Sequence, residues 1–230
     1  MDQKSFEALR NDAFDCCAEI INNPPSDYRL IRQAVQGIVY LSGLTQSVTH
    51  DAVLQKILSV ISNSDQFRSH PRRYAIRSLA LLTYQRPRLI SASMQLLKRM
   101  CWWNKETSQY VRKAAFCALS RIGRYYPDLQ DQIESIFERI YNDRKTKISN
   151  VFGILQGTGR MSQSNSVLRA RWFPRWLAAC RSNNIHLRSA GVKSLGFACV
   201  PVGRVEADVN IERILYIISM NYLIDGGSYS

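Results

Sequence analysis

The chain lacks carboxylates where it is rich in arginine and lysine. Between Asp65 and Glu106 lie forty residues with nine Lys or Arg and no acid, and between Asp143 and Glu206 lie sixty-two residues with eleven Lys or Arg and no acid. Those two stretches hold twenty of the 31 bases and none of the 18 acids, so the rest of the chain carries eleven bases against eighteen acids. The net charge is +13 over 230 residues. Solvated helices ordinarily mix signs, because paired charges offset self-repulsion. An imbalance this large predicts an anionic partner: DNA or RNA, an acidic protein segment, or an acidic membrane face.

Other absences narrow the class. No run of eighteen or more apolar residues occurs, and "ILYIISMNYLI" (Ile214–Ile224) is short and carries Asn221, so no transmembrane insertion is expected. The N-terminal "MDQKSFEALRND" has acids where a secretory signal has bases, which predicts a soluble, intracellular protein of cytoplasm or nucleus. The six cysteines (Cys16, Cys17, Cys101, Cys117, Cys180, Cys199) form no C-x-x-C, and several sit in apolar stretches such as "AAFCAL" and "GFACV". They are expected as buried, reduced thiols. The three histidines are far apart, so no metal and no other cofactor is assigned. There is no nucleophile motif and no pair of carboxylates, so no catalytic residue is assigned either. "GILQGTGR" (Gly153–Arg160) lacks G-K-[ST] and follows no clear strand, and is expected as a flexible loop.

What is present is a repeat. "IRQAVQGIV" from Ile31, "RRYAIRSLA" from Arg72, "VRKAAFCAL" from Val111 and "LRSAGVKSL" from Leu187 each have Arg second and Ala fourth. The arginines Arg32, Arg73, Arg112 and Arg188 are 41, 39 and 76 residues apart, and the last interval is twice 38. A missing copy is therefore expected near Asn150, where "KISNVFGILQG" reads as a degenerate apolar segment without the arginine. Val111, Ala115, Ala118, Leu119 and Ile122 fall on one helical face. A period near forty, with no alternating apolar pattern, predicts helix pairs stacked into a solenoid, because one hairpin cannot hide its apolar stripe alone. Breakers lie between copies: "NNPPSD", "SNSDQFRSHP" and "YYPD". Pro71 fits a first helical turn, and Asn183-Asn184 can cap the next helix. The polar, glycine-containing segment from Asn142 to Ser166 is expected as an irregular linker or insertion, partly helical.

At these residues the sequence resembles a family. "VRKAAFCAL" is similar to the second-helix pattern of HEAT repeats, with "LRSAGVKSL" a looser match. The resemblance implies an all-α fold, a right-handed α-solenoid of about five to six HEAT-like helix-hairpin repeats forming a single domain over 1–230. It also implies that the repeated arginine braces one repeat against the next. "CWWNK" and "FPRWLAA" look similar to tryptophan-bearing stretches of the HEAT-like alkylpurine DNA glycosylases. Those enzymes place a carboxylate beside the cationic lesion, whereas the tryptophan-rich basic stretches here hold none, leaving Glu106 or Asp143 as the acids that could reach in.

In a solenoid, equivalent helices line one concave surface, so bases in register merge into a stripe. The candidate nucleic-acid-binding residues are Arg72, Arg77, Lys98, Arg99 and Lys105 in the first stretch, with Lys113, Arg121 and Arg124 after it. In the second stretch, "RARWFPRWLAACR" contributes Arg169, Arg171, Arg175 and Arg181. Trp102, Trp103 and Trp172 stand among these bases, and tryptophan beside arginine can stack an unpaired base while the guanidinium holds a phosphate. The competing expectation is burial, since Trp172 and Trp176 are four apart. Trp102 and Trp103 point about 100° apart on a helix, so one of them is expected to be less buried. The reading that follows is a non-catalytic nucleic-acid-binding protein. The alternatives are a scaffold that binds an acidic protein partner, and a HEAT-like glycosylase.

Overall fold

A computed structural model describes residues 3–42, 50–102, 105–106 and 108–199. All ten extended elements among them are α-helices: α1 (Gln3–Asn22), α2 (Tyr28–Ser42), α3 (His50–Ser62), α4 (Ser69–Gln85), α5 (Ile90–Cys101), α6 (Gln109–Tyr125), α7 (Gln130–Tyr141), α8 (Ile148–Met161), α9 (Ser166–Cys180) and α10 (Ile185–Ala198). No strand occurs among the described residues. The all-α class expected from the apolar spacing is therefore what forms. The four repeat copies fall on α2, α4, α6 and α10, and the degenerate copy near Asn150 is α8. The repeated segment is thus every second helix. No helix among the described residues is long and apolar enough to cross a membrane. The apolar segment Ile214–Ile224 lies outside the described residues.

The chain divides into two compact units, Met1–Ala118 and Leu119–Ser230. In the first, α1 packs on α2, α3 on α4, and the two hairpins meet through α2 against α4. The core follows the helical period. Val35 and Ile38 of α2, Val53, Ile57, Val60 and Ile61 of α3, and Ala75, Ile76, Leu79 and Leu82 of α4 are all excluded from solvent. Each larger side chain fully buried in this way contributes about 1.5–3 kcal/mol. Pro71 lies in the first turn of α4, where its missing N–H breaks no helical bond. Proline also opens the short 3₁₀ turns at Pro87–Leu89 and Pro127–Leu129 that separate helices.

In the second unit α8 packs against α7, α9 and α10, and α9 packs on α10. Here the structure corrects two expectations. "GILQGTGR" is no flexible loop. It lies within α8, where Ile154 and Leu155 are fully buried and Gly153, Gly157 and Gly159 are buried too. The glycines permit close helix approach. A Cβ on Gly157 would lie 2.9 Å from Phe137 Cε2, and one on Gly159 would lie 2.7 Å from the Ser194 carbonyl oxygen. Glycine costs a helix interior about 1 kcal/mol against alanine, and this packing explains why it is kept there. The irregular linker expected over 142–166 is likewise α8 with its flanking turns. Asp143 ties the preceding turn by accepting from the Lys145 amide at 2.9 Å. Asn165 caps α9 by accepting from the Leu168 amide at 2.9 Å, and donates to Gln130 Oε1 at 2.7 Å. Asn184 caps α10 by accepting from the His186 and Leu187 amides, as the sequence predicts.

All six cysteines are free. Cys101 and Cys180 are buried, and burial pushes the Cys180 thiol up to about 11. Cys16, expected in the core, is exposed instead.

Candidate polyanion-binding surface

The arginine-tryptophan stretch on α9 meets acid. Helix α7 presents Asp131, Glu134 and Glu138 at spacings of three and four, and α9 presents Arg171 and Arg175 four apart. Arg171 Nη2 lies 2.7 Å from Glu134 Oε2 and 3.5 Å from Asp131 Oδ1. Arg175 Nη1 donates to Glu138 Oε1 at 2.9 Å. The Trp172 indole donates to Glu134 Oε1 at 2.8 Å, and its ring is wholly shielded from solvent. Arg175 lies over the Trp172 ring at 4.3 Å, and Tyr141 meets that ring edge-on at 5.6 Å. Arg169 donates to the backbone carbonyls of Ser162 and Gln163.

These contacts correct the sequence reading. Trp172 is no stacking platform, because no ligand can reach a ring with no exposed surface. Arg171 and Arg175 are neutralised within the unit. The acids responsible stand thirty-seven to forty residues before the arginines they meet, outside the acid-free stretch. The seam also shifts a titration. Burial holds the Glu134 carboxyl above the ordinary glutamate value, countered in part by the Trp172 hydrogen bond and the Arg171 charge.

Arg72 is corrected as well. It is buried, donates to the Ile61 carbonyl at 2.8 Å, and forms an ion pair with Glu106, which is itself buried. Glu106 also accepts from the Ser108 amide, and its backbone carbonyl accepts from Arg112 Nη1 at 2.6 Å. The acid that a lesion-binding chemistry would need is thus held inside the fold. Asp143, the other such acid, is engaged in the turn before α8.

The repeated arginine acts in two ways. Arg112 reaches back six residues to the Glu106 carbonyl, and Arg188 reaches back six to the Ser182 carbonyl at 3.3 Å. Each therefore fixes the turn that precedes its own helix. Arg32 and Arg73 do neither. They converge with Arg77 on Tyr74, whose ring centroid lies 4.5, 5.5 and 5.5 Å from the Arg32, Arg73 and Arg77 guanidinium carbons.

Arg77, Lys98, Arg99, Lys105, Arg121, Arg124 and Arg181 are exposed, while Lys113 is half-buried. Trp102 is half-buried, and its carbonyl accepts from the Lys105 and Glu106 amides, which shapes the turn that carries Glu106. Trp103 lies outside the described residues.

Sequence reasoning missed Tyr28, Arg32, His70, Arg73 and Tyr74 as site residues. The signal was helical spacing. His70, Arg73, Tyr74 and Arg77 stand at i, i+3, i+4 and i+7 of α4, and Tyr28 and Arg32 stand at i and i+4 of α2. The rings of Tyr28 and His70 are 4.9 Å apart, and those of His70 and Tyr74 are 6.5 Å apart.

No protein-family model matches the chain, and no curated protein matches it. Among solved structures it is similar to an engineered protein whose crystal structure was determined by the Northeast Structural Genomics Consortium. The two share 11% identity and a TM-score of 0.46, over 91% of this chain and 97% of that one. At that score the likeness decides neither fold family nor function.

Proposed function

We propose that the chain is a non-catalytic, HEAT-like helical-repeat protein that binds the phosphate backbone of a nucleic acid, and that its first unit does the binding. One observation carries this reading. Among the described residues of the first acid-free stretch, Arg73, Arg77, Lys98, Arg99 and Lys105 have no carboxylate partner, whereas Arg171 and Arg175 of α9 are paired. Cations left without counter-charges repel one another, and a phosphate backbone relieves that repulsion while releasing its own condensed ions.

Titration of the full chain with a fluorescent oligonucleotide tests the reading. Affinity should fall steeply as salt rises. Reversal of Lys98, Arg99 and Lys105 to Glu should weaken binding and flatten the slope of log affinity against log salt by about 0.7–0.9 for each phosphate no longer neutralised. Salt-independent binding would overturn the reading, and equal competition by a polyglutamate peptide would redirect it to an acidic protein partner.

A further inference from the structure

We propose that the face shared by α2 and α4 is a receptor for one unpaired nucleotide, with its phosphate among Arg32, Arg73 and Arg77 and its base stacked on Tyr28. The inference rests on the nucleic-acid reading above and adds to it a place and a strand preference.

Four observations converge. First, the face is chemically uniform. Tyr28 and Arg32 from one helix meet His70, Arg73, Tyr74 and Arg77 from the other, and all six are cationic, aromatic or imidazole. Second, the three guanidinium carbons all lie within 5.5 Å of one ring centroid, so any two lie within twice that distance of each other. A tyrosine quadrupole attracts a cation, but it does not cancel three of them. Third, no carboxylate among the described residues pairs with any of the three. The acid nearest in sequence to Arg32, Asp27, is engaged by the amide and the guanidinium of Arg29. Fourth, the Nε atoms of Arg32 and Arg73 are shielded from solvent and bonded to no acceptor. Ring contact positions both side chains, and a phosphate would be met at the guanidinium ends and not at these shielded atoms.

The contrast within the same chain gives this weight. Arg72, Arg112, Arg169, Arg171, Arg175 and Arg188 each find a carboxylate or a backbone carbonyl. Arginine forks match phosphate oxygens in geometry as well as charge. The aromatic side selects what is attached to that phosphate. Tyr28 is 44% exposed, and His70 beside it is exposed. A base can stack on that platform only when it is free of its own stack, so the site is matched to a single strand and not to a duplex.

The test is anisotropy titration of the full chain with a labelled single-stranded RNA ten-mer and with the matching duplex. The single strand is expected to bind about tenfold more tightly, the order of one base-aromatic stack. Tyr28→Ala should remove most of that preference, and Tyr28→Phe should retain it. Arg73→Gln with Arg77→Gln should weaken single-strand binding about tenfold or more, with circular dichroism confirming an unchanged helical content. Equal affinity for single strand and duplex would overturn the inference. So would single-strand binding that survives Tyr28→Ala and the double glutamine variant but falls when Lys98, Arg99 and Lys105 are reversed, an outcome that leaves the broader function standing. Absence of any nucleic-acid binding would remove both. Binding to acidic phospholipid vesicles that depends on Arg73 and Arg77, with none to the RNA, would overturn the nucleotide assignment.

Discussion

Helices α4 and α9 carry the same local pattern, an arginine, an aromatic ring, two further residues and a second arginine. In α4 it is Arg73-Tyr74-Ala75-Ile76-Arg77, and in α9 it is Arg171-Trp172-Phe173-Pro174-Arg175. In both, an arginine lies against the ring. What differs is the helix opposite. α7 offers Asp131, Glu134 and Glu138, so the α9 arginines close an internal ion-pair seam and the indole is buried on Glu134. α2 offers Tyr28 and Arg32, so the α4 arginines gain another cation and no acid. An arginine-aromatic motif is therefore closed into internal ion pairs or left with its charge uncancelled according to the sign of its neighbour.

The largest expected effect lies in the α9 seam. Trp172→Ala should cost about 3–5 kcal/mol in denaturant unfolding, since it empties a fully buried volume and strips Glu134 of its donor. A loss below about 0.5 kcal/mol would mark the ring as a surface feature and erase the contrast.

Next comes the close packing of the same unit. Gly159→Ala should cost about 1–3 kcal/mol, although alanine is the better helix former, because its Cβ would meet rigid backbone of Ser194. Thermal unfolding that is unchanged or raised would show that α8 and α10 can separate to admit it.

The two arginine pairs should then respond with opposite sign. Arg171→Gln with Arg175→Gln should cost about 1 kcal/mol, a modest figure because both guanidinium groups are partly exposed and Glu134 keeps its Trp172 donor. Arg73→Gln with Arg77→Gln should leave stability unchanged or raise it at low salt, by relieving like-charge repulsion. Unfolding midpoints at low and high salt separate the two, and equal losses in both pairs would break the comparison.

The smallest effect is in pH. The folded Glu134 carboxyl titrates above its ordinary value of 4.5, chiefly through burial. As pH rises from there, the unfolded chain sheds that proton first, so this group's contribution to stability declines until the folded carboxyl has also ionised. Stability curves across the weakly acid range should therefore fall less steeply in Glu134→Gln than in the parent, and parallel curves would refute the assignment.

Much of the fold was legible because helix signals are short-range. The arginine-alanine register marked α2, α4, α6 and α10, and its arithmetic located α8 at a segment that had lost the arginine. Asn184 announced its cap three residues ahead of the amide it serves. The glycines of α8 misled because their use lies in another helix. Gly159 is explained by Ser194, and Gly157 by Phe137, which stands twenty residues earlier. The candidate cations were drawn from both units, and packing separates them. Arg77 lies in the cluster, but Arg72 is buried on Glu106 and the α9 arginines on α7.

By itself the sequence determined the helices, their apolar faces and the excess of positive charge, since each depends on residue type within about four positions along the chain. Only the tertiary structure decided which cations remain available. A charge is cancelled by whatever packing brings within a few ångströms, and the acids that meet Arg72, Arg171 and Arg175 stand thirty-four to forty residues away.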